Sequence, residues 1–402
     1  MSPTARAAAM LGAIALLALA LPPAVTSVAV VVFAAALVTD TLLARRPLKL
    51  RRTVPTVLAR GVPASLRVDA LPEGRGRVEV RQPRVPDIDI EPATARSALD
   101  STVIARRRGQ HVLPAVAARR DGPLGLGSWY FRGDARAEIV VYPDVPAARR
   151  LALAVRRGRF RAPGRHTRGP LGLGTEFETI RDYRPDDDVR QINWRATART
   201  GRPMSNQYRI EQDRDVVCLV DAGRLMAAPL ADRTRLDAAL DAVTAVAFAA
   251  DELGDRSGVL AFDREVLRDV PPRRRGGERV LRAIYDLEPR STDSDYDLAF
   301  RRVGGGKRSL VLVLTDLLDE AAGRALLDAV PVVARRHAVV VASVRDPDLD
   351  AALAAVPRVP HDVYRTVVAL DVVDARARVA TALRRAGAEV LEAPPATFTE
   401  AC

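Results

Sequence analysis

Residues 174–226 read GTEFETIRDYRPDDDVRQINWRATARTGRPMSNQYRIEQDRDVVCLVDAGRLM. The first half is polar, rich in Arg and Asp, with a Pro turn and one tryptophan, Trp194. The second half enters an unbroken apolar run, Val216–Val220, that stops at Asp221. An apolar run without alternation is the pattern of a strand buried on both faces. The stretch therefore reads as an irregular connector feeding the first strand of an α/β domain.

Downstream, strand and helix patterns alternate. Arg235–Leu253 carries apolar residues at helical spacing (Leu236, Leu240, Val243, Val246, Ala247) and stops before Gly254. Ser257–Phe262 reads as a strand, Glu278–Leu287 as a helix, and Ser309–Leu314 as a strand ending on Thr315-Asp316. Glu320–Ala329 is helical, Ala338–Ser343 a strand, Val373–Ala386 a helix and Glu389–Leu391 a short last strand. This order predicts a mainly parallel sheet over residues 215–402, with ligands at the carboxyl ends of its strands.

Upstream of a connector at 166–214, the pattern shortens. Thr56–Leu58, Ser65–Val68, Arg77–Val80, Ser101–Ala105, His111–Ala117 and Glu138–Tyr142 alternate and are separated by Gly, Pro and Asp. Residues 46–165 are thus expected to form a β-sandwich-like domain. Before it lie two apolar runs, Ala7–Leu21 and Ala24–Ala44, divided by Pro22-Pro23. Each is near the roughly 20 residues that cross a hydrocarbon core. Arg6 precedes the first, and Arg45, Arg46, Lys49, Arg51 and Arg52 follow the second. Two transmembrane helices over 1–45, with the bulk of the chain cytoplasmic, follow from the positive-inside rule. Two other readings stand beside this one: a signal peptide with Ala18-Leu19-Ala20 at its cleavage site, and a buried helical hairpin.

The net charge of +12 is uneven: residues 45–170 carry +16 and residues 171–402 carry −4. The Arg clusters at 106–108, 119–120 and 156–157 read as a solvated surface, or as a face for anionic lipid or an acidic partner. Aromatic content of 4% and the lack of a reading motif argue against nucleic acid. Two cysteines, Cys218 and Cys402, give no disulfide framework. The four histidines form no metal pair, and there is no G-x-S-x-G elbow. The Gly304–Ser309 segment lacks a hydroxyl residue directly after Lys307 and precedes a strand, unlike a phosphate loop. The chain is expected not to be an enzyme.

The run Tyr183-Arg184-Pro185-Asp186-Asp187-Asp188-Val189-Arg190-Gln191-Ile192-Asn193-Trp194, continuing to Arg199, resembles the signature of the bacterial domain of unknown function fifty-eight family. The matching positions are Tyr183, Pro185, Asp187, Asp188, Arg190, Ile192, Asn193, Trp194 and Arg199, with Asp186 where Gly is usual. The resemblance implies a membrane anchor, a β domain and a cytosolic domain similar to von Willebrand factor A. It also implies a MoxR-type AAA+ ATPase as partner. Read from its residues alone, the signature is an ion-paired clamp packing Trp194 between two domains.

Domains of the von Willebrand A type hold Mg²⁺ with an Asp-x-Ser-x-Ser loop, a Thr and an Asp. The resemblance places Asp221, Thr292 and Asp316 at three of these positions, with Gly223 and Leu225 where the serines belong. The expectation is a degenerate metal site, no cofactor, and carboxylates that cap loops at the sheet edge. A membrane-anchored adaptor at a lipid surface follows. The alternatives are an Mg²⁺-dependent protein-binding module and a hydrolase built on Asp186–Asp188.

Overall fold

The structure, a computed structural model, describes every residue except 1, 73–75, 134–135, 158–175, 185–191, 210–213, 231–232, 304, 306 and 318–319. It divides into two compact units, Met1–Asp144 and Val145–Cys402.

The first unit begins with a short strand, Ser2–Pro3 (β1), and two helices, Ala5–Leu17 (α1) and Pro23–Ala44 (α2). Strands follow at Leu48–Thr53 (β2), Val57–Ala59 (β3), Ala64–Pro72 (β4), Arg77–Arg81 (β5), Ile88–Glu91 (β6) and Thr94–Arg96 (β7). Ala98–Ala105 (β8), Gly109–Leu113 (β9), Ala117–Asp121 (β10), Gly127–Arg132 (β11) and Ala137–Tyr142 (β12) complete it. Three sheets form, in the orders β1-β11-β10-β5-β7, β2-β4-β8-β6 and β3-β12-β9. Their inward side chains meet in one core that includes Leu66, Val68, Val80, Leu99, Val103 and Leu113. In β8 every second residue is buried, as a half-exposed strand requires.

Among the described residues, α2 alone is long and apolar enough to cross a membrane. Its 22 residues reach about 33 Å at the helical rise per residue. The expected first span shrinks to the 13 residues of α1, about 20 Å and short of the roughly 30 Å hydrocarbon core. Thr4 caps the helix at one end, and turns after Leu17 lead into Pro22 at the other. Ala7 and Ile14 of α1 cluster with Phe33, Ala36 and Leu37 of α2.

A carboxylate ties α2 to the β layer. Asp40 is fully buried. Its Oδ1 accepts the Leu124 N–H at 2.8 Å, and its Oδ2 accepts those of Leu126 and Gly127 at 2.7 and 3.0 Å. The turn reaches the helix because it is glycine-rich. A Cβ on Gly122 would come within 2.3 Å of the Asp40 carboxyl, and one on Gly127 within 2.0 Å of Thr41 Oγ1. Thr4 Oγ1 also donates to the Gly125 carbonyl at 2.5 Å.

The second unit opens with Val145–Arg156 (α3), Glu176–Asp182 (β13), Trp194–Thr200 (α4) and Met204–Arg209 (β14). The sequence boundary at 165 moves back to 144, because α3 packs on a helix of the α/β layer. Ala148 and Ala152 of α3 are buried, and Arg149 stacks 5.3 Å from the Phe248 ring. Arg156 is ion-paired with Glu252 at 2.9 Å rather than forming a free basic face. In the first unit Arg106 likewise pairs with Asp89, Arg119 with Asp121, and Arg120 is buried.

The α/β layer comprises Asp215–Asp221 (β15), Pro229–Leu230 (β16), Arg233–Thr234 (β17), Arg235–Leu253 (α5), Arg256–Phe262 (β18), Val266–Arg274 (β19) and Gly277–Ile284 (α6). Tyr296–Val303 (α7), Ser309–Leu314 (β20), Glu320–Ala334 (α8), Ala338–Val344 (β21), Pro347–Ala354 (α9), Pro360–Arg385 (α10), Glu389–Ala393 (β22) and Phe398–Ala401 (α11) follow. The main sheet runs β19-β18-β15-β20-β21-β22 and is parallel except at β19. Residues of α5 and α6 cover one face, and residues of α7, α8 and α10 the other. A Thr234–Asp237 capping box starts α5, and Gly254 at φ 80° ends it.

Asp40→Ala leaves three N–H groups without their acceptor, those of Leu126 and Gly127 buried, a loss of about 3 kcal/mol. We expect faster hydrogen exchange at Leu124, Leu126 and Gly127 and a lower unfolding midpoint for the detergent-solubilised chain. Unchanged exchange at those three amides would refute the tie.

Candidate site at the carboxyl ends of the parallel strands

Four adjacent strands, β18, β15, β20 and β21, each deliver an aspartate at or just past their carboxyl ends. In sheet order these are Asp263, Asp221, Asp316 and Asp346. Asp263, Asp221 and Asp316 are nearly inaccessible to solvent. Charge at that depth persists only with dense local compensation, and each carboxylate obtains it differently.

Asp221 uses hydroxyls. Its Oδ1 accepts the Gly223 N–H at 2.8 Å and Ser294 Oγ at 2.5 Å. Its Oδ2 accepts the Tyr296 hydroxyl at 2.8 Å and Thr315 Oγ1 at 2.7 Å. Gly223 is required by space: a Cβ there would lie 2.3 Å from Ser294 Oγ and 2.8 Å from the Thr292 carbonyl. Burial, and then the Asp221 charge, push the Tyr296 phenol well above its ordinary value, so it stays a donor. Asp263 accepts the Glu265 N–H and Thr292 Oγ1, both at 2.9 Å.

Asp316 uses guanidinium groups. Arg235, the first residue of α5, donates to its Oδ2, and Arg376 of α10 donates to its Oδ1 at 2.6 Å. Ser343 Oγ adds a contact to Oδ1 at 3.3 Å. The second arm of Arg235 reaches Asp346 at 2.8 Å, and Arg376 also bonds the Val344 carbonyl at 3.1 Å. Burial lowers both guanidinium pKa values from the ordinary range; for Arg235 the neighbouring Arg376 charge adds to the effect.

The three residues expected at a metal site are therefore not brought into one ligand set. Thr292 Oγ1 donates to Asp263, Asp316 belongs to the two arginines, and Asp221 is enclosed by hydroxyls. No group of three or more acidic, His or Cys side chains poised for a metal occurs among the described residues. As a set, these three residues do not put several free oxygens on one centre, which a hard divalent cation needs. What the loops leave open is a cavity of about 230 Å³ lined by Asp221, Arg224, Leu225, Asp293, Ser294 and Tyr296, among others. Arg224 and Asp293 pair across its mouth at 2.5 Å.

Asp263, Ser294, Tyr296, Thr315, Arg235, Arg376 and Asp346 escape the sequence reading. Asp263 has a local signal, because Ala261-Phe262-Asp263 repeats the apolar-then-Asp spelling of Val220-Asp221. The arginines have none: they lie 81 and 60 residues from Asp316.

The signature segment lies elsewhere in the second unit. Pro185, Asp187, Asp188 and Arg190, with Asp186, lie outside the described residues. Tyr183 N–H bonds the Pro203 carbonyl, and Ile192 bridges to Ser205. Asn193 caps α4 through Ala196 N–H at 2.9 Å and donates to Asn206 at 2.7 Å. Trp194 is not packed as the clamp reading expects. As the first residue of a short helix it is 69% exposed, and Arg199 is exposed as well.

Two measurements test this electrostatic arrangement. Asp316→Ala leaves two buried cations without their shared partner and should lower stability by about 3–5 kcal/mol in denaturant titration. The Tyr296 pKa is raised in the folded state, so its contribution is complete below about pH 10 and is lost as pH rises towards the folded value. The alkaline fall in stability should be shallower in Tyr296→Phe; equal slopes would contradict the buried phenol.

Comparison with known proteins comes from both sequence and structure. Over 182 residues the chain is 29% identical to uncharacterized proteins of Mycobacterium bovis (Mb1516) and Mycobacterium tuberculosis (Rv1480). The match covers 44% of this chain and 56% of each relative, so the chain spans about half the length of the curated relatives it matches. A cohesin module from a Clostridium perfringens family 33 glycoside hydrolase matches 24% of the chain at 10% identity. It is covered over 97% of its own length, and its TM-score of 0.17 carries no argument. A family model described as "Protein of unknown function DUF58" matches residues 179–389, more than half of the chain, from β13 through the first residue of β22. The chain belongs to that family.

Proposed function

We propose that the protein is a membrane-anchored, non-enzymatic adaptor whose α/β unit binds a protein partner at the carboxyl ends of its strands. The partner we infer is an AAA+ ATPase of the MoxR type. The observation that carries the reading is the internal saturation of the strand-end carboxylates. Asp221 already accepts four hydrogen bonds and Asp316 two guanidinium groups. Such a face presents shape and a paired Arg224–Asp293 rim rather than an ionised group ready for chemistry.

The sheet order, with helices on both faces, supports a relation to domains of the von Willebrand A type. The apolar length of α2 supports an anchor, with α1 as a shorter companion beside it. Pairing of Ser2–Pro3 with β11 supports retention of this segment over cleavage as a signal peptide. Cytoplasmic placement of both units follows from Arg45, Arg46 and Lys49 after α2.

Full-length protein in detergent should bind a purified MoxR-type ATPase. The rim variant Arg224→Glu with Leu225→Asp should weaken binding about tenfold, or about 1.4 kcal/mol. Absence of binding in every nucleotide state, or binding indifferent to the rim, would remove the reading. Titration with Mg²⁺ should give no saturable heat; a saturable one would favour a metal-dependent module instead.

A further inference from the structure

We propose that the segment from Gly122 to Tyr130, together with the end of α2, is a membrane-docking face seated at the boundary between acyl chains and headgroups and selective for anionic phospholipid. The proposal rests on α2 as the span.

Depth is set by the Asp40 tie. Asp40 lies four residues before Ala44, the last residue of α2, which is about 6 Å along the axis. Because its carboxylate holds the Leu124, Leu126 and Gly127 N–H groups directly, the turn cannot stand above the end of the helix. It lies level with the final turn of the span. A polar side chain at that depth needs a partner, and here the partner is backbone from the β layer. The β layer is thereby pulled down against the bilayer.

The outward side chains match that location. Leu124 at the tip of the turn is 60% exposed, and so is Leu42 on α2. Tyr130 is 57% exposed on β11, two residues beyond Ser128, where β1 pairs. Trp129 sits beneath the Arg45 guanidinium, 5.3 Å from the ring centroid. Apolar tips below, Trp and Tyr at the boundary and cations above is the side-chain order of a headgroup zone. Arg6, beside Gly125, and Arg45 and Arg46, which directly follow α2, are exposed, while the nearby acid Asp121 is paired with Arg119 at 3.1 Å. That leaves a positive rim for lipid phosphate.

The two tryptophans of the chain make the test direct. Trp194→Phe leaves Trp129 as the sole indole in full-length protein reconstituted into phosphatidylcholine–phosphatidylglycerol vesicles. A nitroxide placed near the headgroup should quench it, more strongly on phosphatidylglycerol than on phosphatidylcholine. Adding Leu124→Asp should reduce that quenching. A companion protein with Trp129→Phe, Trp194→Phe and Val31→Trp reports the span, because Val31 is exposed near the middle of α2. Its indole should be quenched by a nitroxide near the end of the acyl chain. Quenching of the Val31→Trp reporter without quenching of Trp129 overturns the docking face and keeps the span. Loss of both overturns both, and equal quenching by the two lipids overturns the anionic preference.

Discussion

Asp316 is the constraint on which the α/β unit depends. It stands just past β20, near the middle of the sheet, with its carboxylate nearly sealed from water. One of its cations comes from α5 on one face of the sheet and the other from α10 on the opposite face. A single charge thus fixes the positions of two helices that do not share a layer. Arg235 extends the network to Asp346, which in turn caps α9 through the Asp348 N–H. The arrangement has a cost, since Arg235 Nε is buried without a hydrogen-bond partner. Removing one partner of such a buried pair is costly, although the intact pair adds little net stability.

The same device recurs in the first unit with a different partner. Asp40 is held by backbone N–H groups rather than by guanidinium. Backbone donors in a turn need no side-chain ordering, so the tie is rigid once the turn forms. It does demand close approach, and Gly122 and Gly127 satisfy that demand. One acidic residue in an otherwise apolar helix is thereby a joint between helix and sheet.

Legibility in the sequence follows solvent exposure. The parallel strands β15, β18, β20 and β21 are read within a residue or so, because burial on both faces writes an unbroken apolar run. Helix α5 is read to the residue because its apolar spacing is regular and Gly254 stops it, and in the structure a capping box fixes its start. Strand β19 is missed because Pro271-Pro272 breaks the pattern, which an edge strand tolerates on its unpaired side. Helix α10 starts 13 residues before the expected Val373, and its early turns expose Val363, Tyr364, Val367 and Val368 instead of showing a buried stripe. At the site, Asp221 and Asp316 are legible as polar stops after apolar runs. Their partners are not, because a guanidinium or phenol that arrives from another element leaves no local periodicity.

Fixed groups at strand ends act differently from an exchangeable cation. A metal-dependent face is controlled by occupancy, since removing the ion removes the charge that a ligand's carboxylate would meet. Here the positive charge opposite Asp316 is covalent and permanent, and the groups opposite Asp221 are hydroxyls that stay protonated through the neutral range. The shape of these strand ends is therefore set by side chains that α5, α7 and α10 deliver, and it is tied to the packing of those helices.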